Sequence, residues 1–370
     1  MAKQAIPQQR SWKRRLVALG AGAAGGYVFY HFNLPLPWML GAMSACLILV
    51  LFNAPLQGDR QLAQVMRIVL GVAIGSAFTP AVFGRVEEMA ISLSFVLPYV
   101  VLMGGFGYLY FQKVAGFDKP TAFFSSMPGG LQDMIAMGHD LGASERTLAL
   151  VHATRILVLV FLLPFFIQWV GDVELGARSQ SGISLLDLSV WDYGVLTACG
   201  LFGWYVAARL KISGATVVGP MIVSAIVHMA GLTEARPPIE LTNLAQWAIG
   251  VHIGCMYLGS TTREIGRIVT QSLGFITLIL LLTLAFTAVV SSVVDVDLVS
   301  VILAFSPGGQ AEMNLIAIVL GVDVAYIALH HLVRVFVHMF LGPQVHQGPG
   351  VDVAIASMAV GRGIDPVLLE

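Results

Sequence analysis

The chain has 370 residues, of which 57% are hydrophobic and only 11% are charged, and its formal net charge is −1. A soluble domain carries roughly a quarter charged residues, so this composition excludes an ordinary soluble fold. Cys46, Cys199 and Cys255 stand singly in apolar sequence, which predicts neither a disulfide nor a zinc site.

Apolar stretches recur along the whole chain, beginning directly after a basic segment. A helix of about 20 residues crosses a bilayer, and these runs are apolar on every face instead of alternating in polarity as barrel strands do. The sequence therefore predicts helical spans near residues 16–32, 36–52, 62–80, 89–111, 144–170, 190–208, 214–231, 243–259, 268–294 and 322–343. The basic start resembles a signal peptide, but apolar sequence continues to Phe32, which favours an uncleaved first helix.

The strongest pattern is an internal repeat. Gly250 follows Gly71 by 179 positions, and the same offset holds without a gap as far as Pro164 and Pro343. Leucines shared by composition would prove little, whereas the residues matched here are Gly, Pro, Asp, His and Arg. They include Gly75 with Gly254, Asp118 with Asp297, Pro128-Gly129-Gly130 with Pro307-Gly308-Gly309, Asp133-Met134 with Glu312-Met313, and His152 and Arg155 with His331 and Arg334. In transporters, duplicated halves of this kind enclose a site near the bilayer midplane.

The segments around the two Pro-Gly-Gly sequences, residues 120–141 and 299–320, decide how the halves are oriented. If each segment dips into the membrane and returns, each half crosses five times and the halves are inverted. If each segment crosses, the halves have six spans and are parallel. Cytoplasmic loops collect Lys and Arg, and the inverted arrangement places fourteen basic residues inside and three outside, against eleven and six for the parallel one. The fourteen are Lys3, Arg10, Lys13, Arg14, Arg15, Arg60, Lys113, Lys119, Arg146, Arg209, Lys211, Arg263, Arg267 and Arg362, and the three are Arg85, Arg178 and Arg236.

The predicted fold is therefore an all-α integral membrane protein with two inverted repeats of five transmembrane helices each. Each repeat also carries a re-entrant or broken helix hairpin at Pro-Gly-Gly, and six plus six spans is the alternative. The predicted organisation is a cytoplasmic N-terminus at 1–15, repeat 1 at 16–170, a connecting loop at 171–189, repeat 2 at 190–343 and a C-terminal tail at 344–370.

A candidate site lies where the two Pro-Gly-Gly sequences interrupt their helices. Proline lacks an N–H and glycine permits backbone angles that other residues resist, so a helix breaks there. Broken backbone at membrane depth is tolerated where it lines a cavity or is buried in protein, and the freed N–H groups of the following half-helix suit an anion. The candidate substrate-binding residues are Pro128, Gly129, Gly130, Asp133, His152, Arg155, Pro307, Gly308, Gly309, Gln310, Glu312, His331 and Arg334.

Charged side chains in these segments are costly in a bilayer, so they are paired or functional. Spacing from the neighbouring turn places Asp133 level with Arg155, and Glu312 level with Arg334. These pairs are either structural, or the carboxylates bind a coupling ion while the arginines contact an anionic substrate. His152 and His331 share a helix face with the arginines, as a proton relay or as buried hydrogen-bonding residues. Arg67 falls opposite Gln246 in the repeat, so there it either binds an anion or pairs with an acid that the sequence does not identify.

The duplication, the paired Pro-Gly-Gly followed by Asp133-Met134 or Glu312-Met313, and the downstream His and Arg pairs resemble the AbrB family of bacterial polytopic membrane proteins. The resemblance covers roughly residues 16–343. It implies a multi-pass protein of the bacterial inner membrane with a cytoplasmic N-terminus, grouped with inverted-repeat secondary transporters. Members are often labelled regulators of gene expression or ammonia monooxygenases, and neither label comes from the residues of this chain.

The repeat and its paired helix breaks favour a secondary transporter of a small organic solute, for which the arginines suggest an anion, with proton or sodium coupling. The alternative is a membrane protein that affects gene expression indirectly, because no concentrated basic face for DNA is present. A copper oxygenase would need clustered histidines, and His330-His331 is the one adjacent pair. We expect no enzymatic activity, no catalytic or metal-binding residue and no cofactor. The expected partners are the bilayer and the solute, with no nucleic acid, and a homo-oligomer is left open.

Overall fold

A computed structural model describes residues 11–127, 129–171 and 182–346, and within these ranges the chain is helical and forms no strand. Its α-helices are α1 Trp12–His31, α2 Ala42–Leu51, α3 Arg60–Gly75, α4 Val86–Ser94, α5 Val96–Lys113, α6 Lys119–Ser126, α7 Leu131–Asp140, α8 Glu145–Gly171, α9 Val190–Arg209, α10 Ala215–Met229, α11 Ile239–Gly254, α12 Thr262–Ser291, α13 Leu298–Phe305, α14 Gln310–Leu320 and α15 Val324–His346. A π-helical turn, Pro37–Gly41, leads into α2, and a 3₁₀ turn, Pro80–Arg85, leads into α4.

The helices lie at the positions of the predicted spans. Three segments of the described chain are long and apolar enough to cross a membrane, namely Pro80–Lys113, Glu145–Val170 and Thr262–Ser291. Shorter apolar helical segments are Pro37–Leu51, Ala215–Met229, Gln310–Leu320 and Val324–Val337. The all-helical, apolar architecture is therefore that expected of a membrane protein, while the count of ten crossings stays a prediction.

The bounds of the helices recur at the spacing of the sequence repeat. Adding 179 to the bounds of α3 gives those of α11, and adding 179 to those of α6 gives those of α13. The starts of α7 and α14, and of α8 and α15, are related in the same way. In the helices before α3 and α11 the spacing is 178. This is shown by the close contact between Gly25 and Gly41, which is repeated between Gly203 and Gly219. That shift hides the first helices from a gapless sequence comparison.

The two halves are joined through glycine-rich helix contacts. A Cβ atom added to Gly71 or Gly75 of α3 would overlap a backbone carbonyl of α10 in the other half. In the same way, a Cβ atom on Gly250 or Gly254 of α11 would overlap the carbonyl of Met39 or Met43. Both GxxxG pairs therefore let helix backbones from different halves approach closely, which is a packing role.

Each pair of short helices forms a hairpin. The amide of Ser144, just after α7, donates to the hydroxyl of Thr121 at the start of α6, at 2.9 Å. The amide of Asp323, just after α14, donates to the hydroxyl of Ser300 in α13, at 3.1 Å. Because the start of the first helix and the end of the second are hydrogen-bonded, the chain returns to the level at which it entered. The segments α6–α7 and α13–α14, called the first and second hairpin below, thus have Pro-Gly-Gly at their tips.

The repeated aspartates explain how each hairpin begins. Asp118 precedes α6 and its carboxylate accepts from the amide of Thr121 at 3.1 Å. Asp297 precedes α13 and accepts from the amide of Ser300 at 2.8 Å. These are N-caps, which satisfy amides that have no partner in the first turn of a helix. The sequence match between the two aspartates therefore marks the start of each hairpin.

Candidate functional site

The tip of the second hairpin is held by Arg334 of α15. Its Nη1 donates to the carbonyl of Ser306 at 2.8 Å, and its Nη2 donates to the carbonyl of Gly308 at 3.0 Å. These carbonyls flank Pro307, where the helix ladder is interrupted. The Arg334 side chain is 4% exposed, so the guanidinium supplies donors to buried carbonyls that would otherwise lack a partner.

Arg155 of α8 does the same at the first hairpin. Its Nη1 donates to the carbonyl of Met127 at 3.1 Å and its Nη2 to the carbonyl of Gly129 at 3.5 Å. The acceptors are 179 positions before those of Arg334, so the same contact is made in both halves. Pro128, between these carbonyls, lies outside the described residues, and of Asp133 only the helical backbone is described.

The carboxylate of Glu312 is paired differently from the prediction. Glu312 Oε1 lies 3.4 Å from Nη2 of Arg67 on α3, in the other half of the chain. The expected pair of Glu312 with Arg334 is wrong, because the Arg334 fork is occupied by backbone carbonyls. Of the two roles left open for Arg67, the structure shows the pairing with an acid, which is Glu312. The sequence offered no pattern for this contact, because the two residues are 245 positions apart. The expected pair of Asp133 with Arg155 stays a prediction.

The symmetry of the two halves ends at this ion pair. The residue at the position of Arg67 in the second half is Gln246, which is fully buried and whose Oε1 has no hydrogen-bond partner among the described residues. Along α14, Gln310, Glu312 and Asn314 are polar, whereas α7 has Leu131 and Ile135 at the first and third of these positions. The second hairpin therefore has polar side chains at two matched positions where the first has apolar ones.

Of the two repeated histidines, His331 makes hydrogen bonds within the core. His331 Nε2 lies 3.1 Å from the carbonyl of Leu303, and its Nδ1 contacts Nη2 of Arg334. A carbonyl only accepts and a guanidinium only donates, so Nε2 carries the proton and Nδ1 is the acceptor. Since both nitrogens of His331 are engaged, a proton relay through this ring would first have to break the contact with Arg334. His152 is fully buried and its ring lies beside the backbone of Phe124, the counterpart of Leu303, although neither nitrogen meets hydrogen-bond geometry with a described group.

The adjacent His330 is engaged as well. Its Nδ1 lies 2.8 Å from the carbonyl of Tyr326, and its Nε2 lies 2.8 Å from the hydroxyl of Ser92. The ring nitrogens of His330 and His331 are thus committed to protein groups. Within the described part of the chain, no group of three or more His, Cys, Asp or Glu side chains is placed to hold a metal ion.

The glycines at the tips lie directly against side chains of the following half-helix, which differs from the expected role in unusual backbone angles. Gly309 has φ −70° and Gly130 has φ −63°, values that any residue adopts. A Cβ atom on Gly308 would collide with the side chain of Met313, and one on Gly309 would collide with the carboxylate of Glu312. The pattern Pro-Gly-Gly followed by an acid and a methionine is therefore a packed unit, in which the methionine covers the glycine after the proline.

The two tip-binding arginines come together near Tyr99. Arg155 and Arg334 are close enough to interact electrostatically with each other and with the hydroxyl of Tyr99. That hydroxyl is hydrogen-bonded to Thr283 at 2.9 Å, and the ring packs edge-on against Phe305. Neither arginine has a carboxylate within ion-pair distance among the described side chains. The region between the hairpins therefore concentrates buried positive charge, and a buried charge without a counter-charge is costly.

The bases of the hairpins are tied to the opposite halves by ion pairs. Arg85, before α4, pairs with Asp323 at the base of the second hairpin. Glu264, at the position that corresponds to Arg85, pairs with Arg146 at the base of the first hairpin, at 2.6 Å. A similar ion pair thus ties each hairpin base to the other half with the charges exchanged, although Arg146 lies two positions after Ser144, the counterpart of Asp323. A cavity of about 570 Å³ between α3 and α9 lies elsewhere, since no hairpin residue lines it.

The comparison with protein families supplies the assignment that the geometry alone does not. A family model described as "Transition state regulatory protein AbrB" matches residues 38–347. The chain belongs to the AbrB family. The matched range contains both hairpins, both tip-binding arginines and the Arg67–Glu312 pair.

Two curated relatives cover most of the chain. An "Uncharacterized protein YhjN" of Bacillus subtilis (strain 168) is 24% identical in an alignment of 352 positions that covers 89% of this chain and 91% of that protein. A "Putative regulator AbrB" of Escherichia coli (strain K12) is 23% identical over 318 residues, which are 86% of this chain and 91% of that protein. The AbrB family assignment thus agrees with the sequence resemblance, and the names of these two relatives leave the activity open.

Proposed function

We propose that this AbrB-family protein is a secondary transporter that moves a small organic anion across the bacterial inner membrane. The observation that carries the proposal is the pair of hairpins whose broken tips are each held by a buried arginine, with the two arginines close together. A helix that breaks and returns inside an apolar protein has a purpose where it lines a site, and its exposed amide ends favour anions.

The proposed arrangement in the membrane is two inverted repeats of five crossings each. The start and the end of each hairpin are joined by a hydrogen bond. This supports the interpretation in which the segments dip into the membrane and return, in preference to the one in which they cross it. In this arrangement Arg85 and Asp323 lie at the outer face, and Arg146 and Glu264 lie at the cytoplasmic face. The hairpin tips then meet between the two faces, at the depth where transporters of this architecture bind substrate.

The regulatory names of the family fit the same proposal through an indirect route. A transporter that imports or exports a signalling metabolite changes gene expression without touching DNA. The bilayer and a small solute are then the partners of the protein, with a proton or sodium ion as the coupling ion, and no enzymatic step or cofactor is involved.

Transport is tested on purified protein reconstituted into liposomes. Uptake of radiolabelled pyruvate, succinate and glutamate is measured with no gradient, with a pH gradient and with a sodium gradient, beside radiolabelled glucose as an uncharged solute. We expect uptake of at least one anion above that of protein-free liposomes, and none of glucose. The anions are complemented by a comparison of metabolites in cells with and without the protein, and the compound that changes most is added to the set. Absence of flux for every one of these solutes would refute the proposal.

A further inference from the structure

We propose, as a deepening of the transport function above, that Arg67 is the residue that binds the carboxylate of the substrate, and that Glu312 occupies its place in the empty protein. The two arginines at the hairpin tips are the obvious candidates for this role. Their fork ends, however, are already bound to the carbonyls of Met127 and Gly129 and of Ser306 and Gly308. If either arginine turned to a substrate, buried carbonyls at its tip would lose their donors.

Arg67 has the opposite properties. Its guanidinium holds no backbone carbonyl among the described contacts, and its ion pair with Glu312 is long, at 3.4 Å through Nη2 alone. Its side chain is 19% exposed, against 4% for that of Glu312, so it is the more accessible partner. A planar guanidinium binds a carboxylate through two parallel hydrogen bonds, which is stronger than the single contact with Glu312. A substrate carboxylate therefore replaces Glu312 at a gain in hydrogen bonding.

The location of Arg67 also fits a transport site. It lies on α3 of the first half and contacts α14 of the second half, so the pair joins the two halves at the second hairpin, and sites of such transporters lie between the repeats. Its counterpart Gln246 carries no charge and cannot bind a carboxylate ionically. The chain thus has one such arginine among the described residues of the two related positions, which predicts one carboxylate bound per protein.

Displacement leaves the Glu312 carboxylate almost fully buried and without Arg67. The helix α14 packs on α3, α8, α13 and α15, and the cations on these helices that face the hairpin region are Arg67, Arg155 and Arg334. The latter two are committed to the tips, and His331 is committed to Leu303 and Arg334. His252 of α11 is within electrostatic reach of Arg67. A buried carboxylate that loses its partner requires another positive charge, so a monovalent cation, either a proton or Na⁺, accompanies each anion.

The test uses the reconstituted full chain and whichever of pyruvate, succinate and glutamate gives flux. Because Arg67→Gln alone leaves Glu312 buried without a counter-charge, the informative variant is the charge-neutral pair Arg67→Gln with Glu312→Gln. We expect its KM for the anion to rise about ten-fold or more, the loss expected for a charged hydrogen bond, with Arg67→Lys intermediate. Arg14→Gln, an exposed arginine on α1, is the matched control and keeps the wild-type KM. An unchanged KM in the double variant would overturn the assignment to Arg67 while leaving transport intact.

The cation is identified by the steady-state ratio of inside to outside anion, which does not depend on turnover rate. In the wild-type protein this ratio rises above one under either a pH gradient or a sodium gradient, and the gradient that raises it names the coupling ion. In Glu312→Gln it falls to about one under both. A ratio that stays at the wild-type value in Glu312→Gln refutes the role of Glu312. If the wild-type protein moves no anion at all, the transport function itself fails, which is a distinct result.

Discussion

Replacing Arg334 with methionine removes the guanidinium that holds the second hairpin tip. Methionine is long and apolar, so it fills much of the space but supplies no donor. The change abolishes the bonds to Ser306 and Gly308 and the contact with His331, and leaves these acceptors buried without a partner. Hydrogen bonds of charged groups contribute about 1.5–3 kcal/mol in soluble proteins, and those inside membrane proteins average about 0.6 kcal/mol.

The three contacts are therefore worth roughly 2–9 kcal/mol, and removal of a buried cation from a site without a carboxylate returns part of this. We expect a net destabilisation of about 3 kcal/mol for Arg334→Met, which is about two orders of magnitude in the unfolding equilibrium. Arg155→Met loses two longer bonds, at 3.1 and 3.5 Å, and no histidine contact, so its loss is smaller by about 1 kcal/mol.

The measurement is an SDS titration of the purified protein in mixed micelles, followed by tryptophan fluorescence, with Arg14→Met as the control for loss of a positive charge. We expect the SDS midpoint to be highest for Arg14→Met, lower for Arg155→Met and lowest for Arg334→Met. Equal midpoints for Arg334→Met and Arg14→Met would refute the reasoning, because the tip would then be stable without its donors.

Three further changes probe the parts that place the hairpins. Asp297→Ala removes the N-cap of α13 and is expected to cost about 1 kcal/mol in the same titration, whereas Asp297→Asn retains most of the stability. Gly254→Leu drives a side chain into the carbonyl of Met43, so it should abolish the folded yield measured by gel filtration, and a normal elution profile would contradict the close helix contact. Arg85→Glu should lower transport by weakening the base of the second hairpin, and the double variant Arg85→Glu with Asp323→Arg should restore it. A double variant that transports no better than Arg85→Glu would argue against a role of this ion pair.

Several features of the fold could be predicted because they depend on local sequence. The positions of the helices follow from runs of apolar residues, and the hairpins follow from a proline and two glycines that interrupt a run too short to cross twice. The aspartates that cap α6 and α13 were visible as a matched pair, Asp118 and Asp297, although their capping role became clear only from the amides that they accept from. The count of basic residues favoured segments that dip into the membrane and return, and in the structure the start and the end of each hairpin are hydrogen-bonded.

The partners of the buried charges could not be read in this way. Spacing along the sequence placed Glu312 at the same depth as Arg334, but two side chains at the same depth need not be in contact. Arg334 donates to the buried carbonyls on either side of Pro307, because a buried acceptor without a donor is costly, and this leaves Glu312 to pair with Arg67. Arg67 is 245 positions away and reaches Glu312 only because α3 packs against the other half. The repeat hid this contact too, since Gln246 breaks the symmetry at that place.

By itself, then, the sequence determined an all-helical membrane-type chain, and it predicted a duplicated unit with a helix break at the same place in each copy. Hydrophobic runs, helix-breaking residues and helix caps act within a few residues, so they can be recognised from local sequence. The tertiary structure alone decided which guanidinium holds backbone and which one holds a carboxylate. That choice depends on the packing of two halves against each other, because only there do groups distant in sequence compete for the same buried donors.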